Sequence, residues 1–123
     1  MTLDLITELN IQRFIQLADM PDCCSMADMC WKKEKYETYL NYRDRRLHIS
    51  QCLPRGPFDN DLLMLALQRW HPAYFAGIPQ RFFKLRCGLF ISCSPAAEST
   101  AELWFRLHRR QQAFLESLCK SPS

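Results

Sequence analysis

The chain has 123 residues, 48% of them apolar, 24% charged and 12% aromatic, a balance that fits one globular domain spanning residues 1–123 and excludes a disordered tail protein. Sixteen basic and thirteen acidic residues leave a net charge of +3, too small and too scattered for a nucleic-acid footprint. No stretch reaches the roughly 20 apolar residues that cross a bilayer, and the opening MTLDLITELN carries acids where a secretory leader carries Lys or Arg, so a cytosolic protein is expected. Seven cysteines are an odd number and in that compartment read as reduced thiols (Cys23, Cys24, Cys30, Cys52, Cys87, Cys93 and Cys119).

In chain order, DLITELNIQRFIQLAD places Ile11, Phe14, Ile15 and Ala18 at the three- and four-residue spacing of one helical face, with Asp4 as N-cap and Pro21 as the stop. Residues 26–33 show no clean period and read as a strand. In KYETYLNYRDRRLHISQCL, Tyr36, Thr38, Leu40 and Tyr42 alternate with polar residues, and Leu47, Ile49 and Leu53 repeat the alternation after the turn RDRR, which predicts a hairpin over 36–53. The break LPRGPF is followed by a helix capped by Asp59, with Asp61 near its N-terminal dipole and Leu62, Leu63, Leu65, Ala66 and Trp70 along it. That helix should end near Trp70, because His71 precedes Pro72.

After GIPQ a second hairpin is expected, with Phe83, Leu85 and Cys87 pointing one way, Leu89, Ile91 and Cys93 repeating the alternation beyond Gly88, and Lys84 and Arg86 on the polar face. The last helix opens on a capping box, Ser99 to Glu102, and runs Leu103, Leu107, Phe114 and Leu118 along one face. The resulting class is a two-layer α+β fold in the order helix, three strands, helix, two strands, helix.

Nothing in this chain announces a nucleophile with its base or a pair of catalytic carboxylates, so no enzyme and no cofactor is expected. The glycines Gly56, Gly77 and Gly88 fall singly at turns, whereas a phosphate cradle needs clustered glycines that let several amides converge. Cys23, Cys24, Cys30, His48 and Cys52 lack the paired CxxC knuckles of a tetrahedral zinc site, so no metal is expected. Cys87 and Cys93 read as small hydrophobes on strand faces. His48, His71 and His108 titrate near neutral pH and are expected at surfaces or in packing. Arg106, Arg109 and Arg110 read as a solvated stripe on the last helix. What remains is a surplus of large rings (Trp31, Trp70, Trp104, Tyr74, Phe75, Phe82 and Phe83), some of which are expected to face a partner, first among them those near GIPQRFF.

The element order resembles the class I chaperones of bacterial type III secretion systems, and the segments LITELNIQRFIQLA, YETYLNY, GIPQRFF and SCSP with AELWFRLHRRQ look like the SsaM/EsaM group of secretion regulators. The resemblance implies a noncatalytic cytoplasmic subunit that pairs with a small SsaB/SpiC-like protein and an SsaL-like gatekeeper, orders translocators before effectors, and acts at the export gate on the cytosolic face of the inner membrane in response to pH. It further implies a partner seam on Leu62, Leu65, Ala66, Trp70, Phe82 and Phe83, and a client surface on the first helix through Ile11, Phe14 and Ile15. The alternative is a homodimeric chaperone of a secreted effector.

Overall fold

The structure, a computed structural model, describes residues 5–20, 28–33, 35–44, 46–54, 61–86, 88–96 and 99–120. The expected caps Asp4 and Asp59, the stop at Pro21, the turn residues Gly56 and Cys87, and Cys23 and Cys24 lie outside them. The elements are α1 (Leu5–Leu17), β1 (Asp28–Lys33), β2 (Tyr36–Arg43), β3 (Arg46–Pro54), α2 (Asp61–Arg69), a short 3-10 helix (Pro72–Phe75), β4 (Arg81–Leu85), β5 (Gly88–Cys93) and α3 (Ala101–Lys120). This is the α+β order that the periodicity predicts.

The five strands form one antiparallel sheet in the order β1-β2-β3-β5-β4. Because side chains alternate along a strand, the register sorts every residue to one of two faces. Leu40 faces Ile49 and Ile49 faces Cys93 across the ladders, so these residues share a face with Leu47, Leu53, Leu89 and Ile91. That face is the core, and α3 lies across its centre on β3 while α1 packs beside α3 and α2 reaches α3 and β4. Trp104, Leu107, Leu115 and Leu118 of α3 are buried there, and each such side chain contributes about 1.5–3 kcal/mol by leaving water.

Of two helix ends, the start of α3 differs from expectation and the end of α2 agrees with it. The N-cap of α3 is Thr100, whose Oγ1 accepts from the Leu103 amide at 3.3 Å. Ser99 instead donates to the Ala96 carbonyl and accepts the Trp104 indole N–H at 2.8 Å, so the serine is engaged in fixing the buried ring rather than in capping. After α2 the chain does stop at Trp70. It turns through the 3-10 helix, with His71 Nδ1 accepting from the Ala73 amide at 3.1 Å and Ala76 left-handed at φ 54°.

The second hairpin is turned differently from its expected facing. Phe83 pairs directly with Phe90 and Leu85 with Gly88, which puts Phe83 and Leu85 on the face away from the helices, while Phe82 and Lys84 share the side of Ile91 and Leu89. The reason lies in β5, whose Leu89, Ile91 and Cys93 are drawn into the core and so dictate the pleat of the strand hydrogen-bonded to it. At the start of β5, Gly88 adopts φ 151° and a Cβ there would stand 2.2 Å from the Leu53 carbonyl oxygen, a contact only glycine permits.

Candidate docking surfaces

The residues expected to meet partners are mostly committed to the core. Ile11 and Phe14 are fully buried and Ile15 nearly so, because they form the stripe by which α1 packs on the sheet and α3. The apolar residues that α1 leaves outward are Leu5, Ile6 and Leu9, at 69%, 71% and 54% exposure. On α2, Ala66 is fully buried, and Leu62, Leu65 and Trp70 are half-buried against the core with Phe82. Trp70 and Phe82 meet ring to ring at 5.8 Å, and Phe82 in turn meets Phe114 at 5.6 Å. Met64 and Leu67 are the exposed apolar residues of α2. Phe83 is separated from the rest of the expected seam by the sheet itself.

The surplus of rings is therefore smaller than the sequence implies. Trp31, Phe75 and Trp104 are buried, Trp70 and Phe82 are half-buried, and only Tyr74 and Phe83 of that set are exposed. The arginine stripe is outward as expected, with Arg110 lying over the Tyr74 ring at 4.8 Å.

Hidden from sequence reasoning is a chain of amides through the layer between α3 and the sheet. Thr38 Oγ1 donates to Gln51 Oε1 at 2.7 Å. The Gln51 amide nitrogen, which can only donate, sits 2.7 Å from His108 Nδ1, so that ring nitrogen accepts and the ring carries its proton on Nε2. One turn on, Gln111 Nε2 reaches the Ile49 carbonyl at 3.1 Å and Gln80 Oε1 at 3.0 Å. Most of these polar groups are tolerated in the interior because they are hydrogen-bonded there, while Gln111 Oε1 is buried without a hydrogen-bond partner. Nearby, burial pushes the Cys93 thiol up to about 12. A cavity of about 250 Å³ opens at the end of α1, lined by Asp19, Phe105, His108, Arg109 and Gln112.

The opposite face of the sheet carries a different chemistry. Its rows run Phe83, Phe90, Cys52, Glu37 and then Arg81, Ser92, Ser50, Tyr39, Cys30. Phe83 and Phe90 stack with rings 5.1 Å apart and only 7° from parallel, and Tyr39 leans on Phe90 at 5.7 Å. Ser50 and Ser92 share a hydrogen bond at 2.8 Å. Burial of the Tyr39 phenol is the main cause that raises its pKa, and Cys30 and Glu37 add to it. At the other end of this face stand Arg43, Arg46 and Arg81 around His48, whose pKa is lowered first by burial and then by those three cations. Asn41 and Arg43 bind Asp28 at 2.8 and 3.3 Å, and the Asn41 hydrogen bond leads in lowering the Asp28 pKa.

Cys30, His48 and Cys52 fall in separate rows of this face, and among the described residues no three His, Cys, Asp or Glu side chains gather as metal ligands would. No helix among the described residues is long and apolar enough to cross a membrane. A profile of the SsaM family matches residues 4–118. The chain is also 55% identical over 116 residues to the secretion system apparatus protein SsaM of Salmonella typhimurium, an alignment covering 94% of this chain and 95% of the relative.

Proposed function

Because the chain belongs to the SsaM family of type III secretion proteins, we propose that it is a noncatalytic docking subunit that regulates the order of secretion. In this reading it forms a complex with a small SsaB/SpiC-like protein and an SsaL-like gatekeeper in the bacterial cytoplasm, at the export gate, so that translocators leave before effectors. The observation that carries it is the near full-length likeness to a secretion apparatus protein. The exposed apolar residues support it physically: burying Met64 and Leu67 of α2, and Leu5, Ile6 and Leu9 of α1, against other subunits gains free energy in proportion to the area removed from water. The partner seam accordingly follows the outer face of α2, with Leu62, Leu65 and Trp70 at its margin. The client surface follows the outer face of α1 rather than Ile11, Phe14 and Ile15.

Co-expression with the two secretion partners, followed by size-exclusion chromatography, should give one co-eluting complex. Separate elution of all three proteins at micromolar concentration would refute the reading. Met64→Asp combined with Leu67→Asp should abolish co-elution while leaving the circular dichroism spectrum largely unchanged, since both side chains already face water and a charge there costs far less than one covered by a partner.

A further inference from the structure

We propose that the helix-free face of the sheet docks an acidic, amphipathic segment of a partner protein, with its apolar side chains over Phe83, Leu85 and Phe90 and its carboxylates against Arg81, Arg46 and Arg43. This face lies on the far side of the sheet from α1 and α2, so it stands or falls apart from the helical seam.

Three observations converge on this occupant. The first is apolar area: Leu85 is 52% and Phe83 37% exposed, side by side on β4 at alternate positions, and they extend the buried Phe90. The second is charge. Arg81 precedes Phe83 at the neighbouring position of the same face, two residues or about 7 Å along the strand, and Arg46 and Arg43 face one another across the β2-β3 ladder nearby. The acid among them, Asp28, is already engaged by Asn41 and Arg43. The third is the field those cations make: they are close enough to disfavour a proton on His48.

The same distribution argues against other occupants. A second copy of this chain offers no match in either sense: with the axis at the arginines, like charges would meet, and with it between the two halves, the arginines of each copy would be buried against the apolar rings of the other. A polyanion such as RNA could pair its phosphates with the arginines but would leave the apolar half of the face, Phe83, Leu85 and Phe90, unsatisfied. An acidic segment with apolar residues at alternate positions satisfies both halves at once.

The test is a titration of the isotopically labelled full chain, followed by nuclear magnetic resonance, with a synthetic peptide of alternating leucine and glutamate. A leucine and lysine peptide, a poly-uridine oligonucleotide and phosphatidylglycerol vesicles serve as rival probes. The acidic peptide should shift the amides of Ser50, Phe83, Phe90 and Ser92. Its binding should weaken about tenfold or more in the Arg46→Glu, Arg81→Glu double variant, whose side chains are exposed and whose fold should survive. Raised salt should weaken it likewise. The proposal is overturned if these amides do not move, if the shifts fall on α1 or α2, or if the lysine peptide binds as well. It is also overturned if RNA or vesicles occupy the face instead, or if the same amides shift with protein concentration alone, which would identify a second copy.

Discussion

The two faces of the one sheet handle polarity in opposite ways. On the helix side, Thr38, Gln51 and His108 are sealed in the interior and tied to one another, and Gln111 is held beside them by the Ile49 carbonyl and Gln80. On the far side Arg43, Arg46 and Arg81 point outward beside the paired serines Ser50 and Ser92, and the apolar rings cover one another by stacking. The contrast teaches that a strand need not have a dry face and a wet one. Both faces of β3 are largely buried, yet one is finished within the chain and the other is left with unspent charge and exposed rings.

If the helix side holds the fold together, the largest losses belong to it. Trp104→Ala should cost about 3–5 kcal/mol, since it empties a fully buried site and strands the Ser99 hydroxyl that receives the indole, and chemical denaturation will measure it. Gly88→Ala should cost about 2 kcal/mol or more, because the backbone must move to relieve the clash with Leu53. Gln51→Leu should cost about 1–3 kcal/mol by leaving Thr38 and the accepting nitrogen of His108 without their shared partner. On the far side the effects should shrink. Phe83→Ala removes one stacked ring that is already partly wet, and about 1 kcal/mol is the expected loss.

The smallest effect concerns His48. Its pKa in the folded chain lies below the usual 6.5, so the unfolded chain takes up the proton first. Stability is therefore unaffected by this group above that value and falls as pH drops through and below it. Urea denaturation of the wild type and of His48→Gln from neutral pH to about pH 5 should show the smaller loss in the variant. A larger loss in the variant would reverse the sign of the coupling and break the comparison between the faces.

Much of the helix side was legible in the chain because it depends on short periods. Ile11, Phe14 and Ile15 of α1, Tyr36 to Leu53 of the first hairpin and Leu107, Phe114 and Leu118 of α3 announce their faces within a few residues. The amide chain did not announce itself, since Gln51 meets His108 across 57 positions and Gln111 meets Ile49 across 62, and a glutamine on a helix reads as surface until its partner is known. The facing of β4 was hidden for a related reason. Phe82 and Phe83 are equally apolar neighbours, so alternation within RFFKL has two solutions, and only pairing to β5 selects one. The seam implied by the chaperone resemblance includes Phe83, which the pairing of β4 with β5 puts on the opposite face of the sheet from Phe82. The apolar residues that do face outward on α1 and α2, Leu5, Ile6, Leu9, Met64 and Leu67, lie off the dominant stripe, and although they too are spaced three and four apart, spacing alone does not say which of two apolar stripes is buried.

The glutamines of the interior also set how α3 can lie. Turning that helix by a single residue would sweep the ring of His108 and the amide of Gln111 away from Gln51 and Ile49 of β3 and from Gln80 in the loop before β4, and cost these groups the hydrogen bonds they share with the helix. Greasy side chains alone would forgive such a slip, since leucine packs nearly as well beside leucine. The longest helix is thus keyed like a tumbler in a lock, which holds the angular position of everything mounted on its outer side, Arg106, Arg109 and Arg110 included.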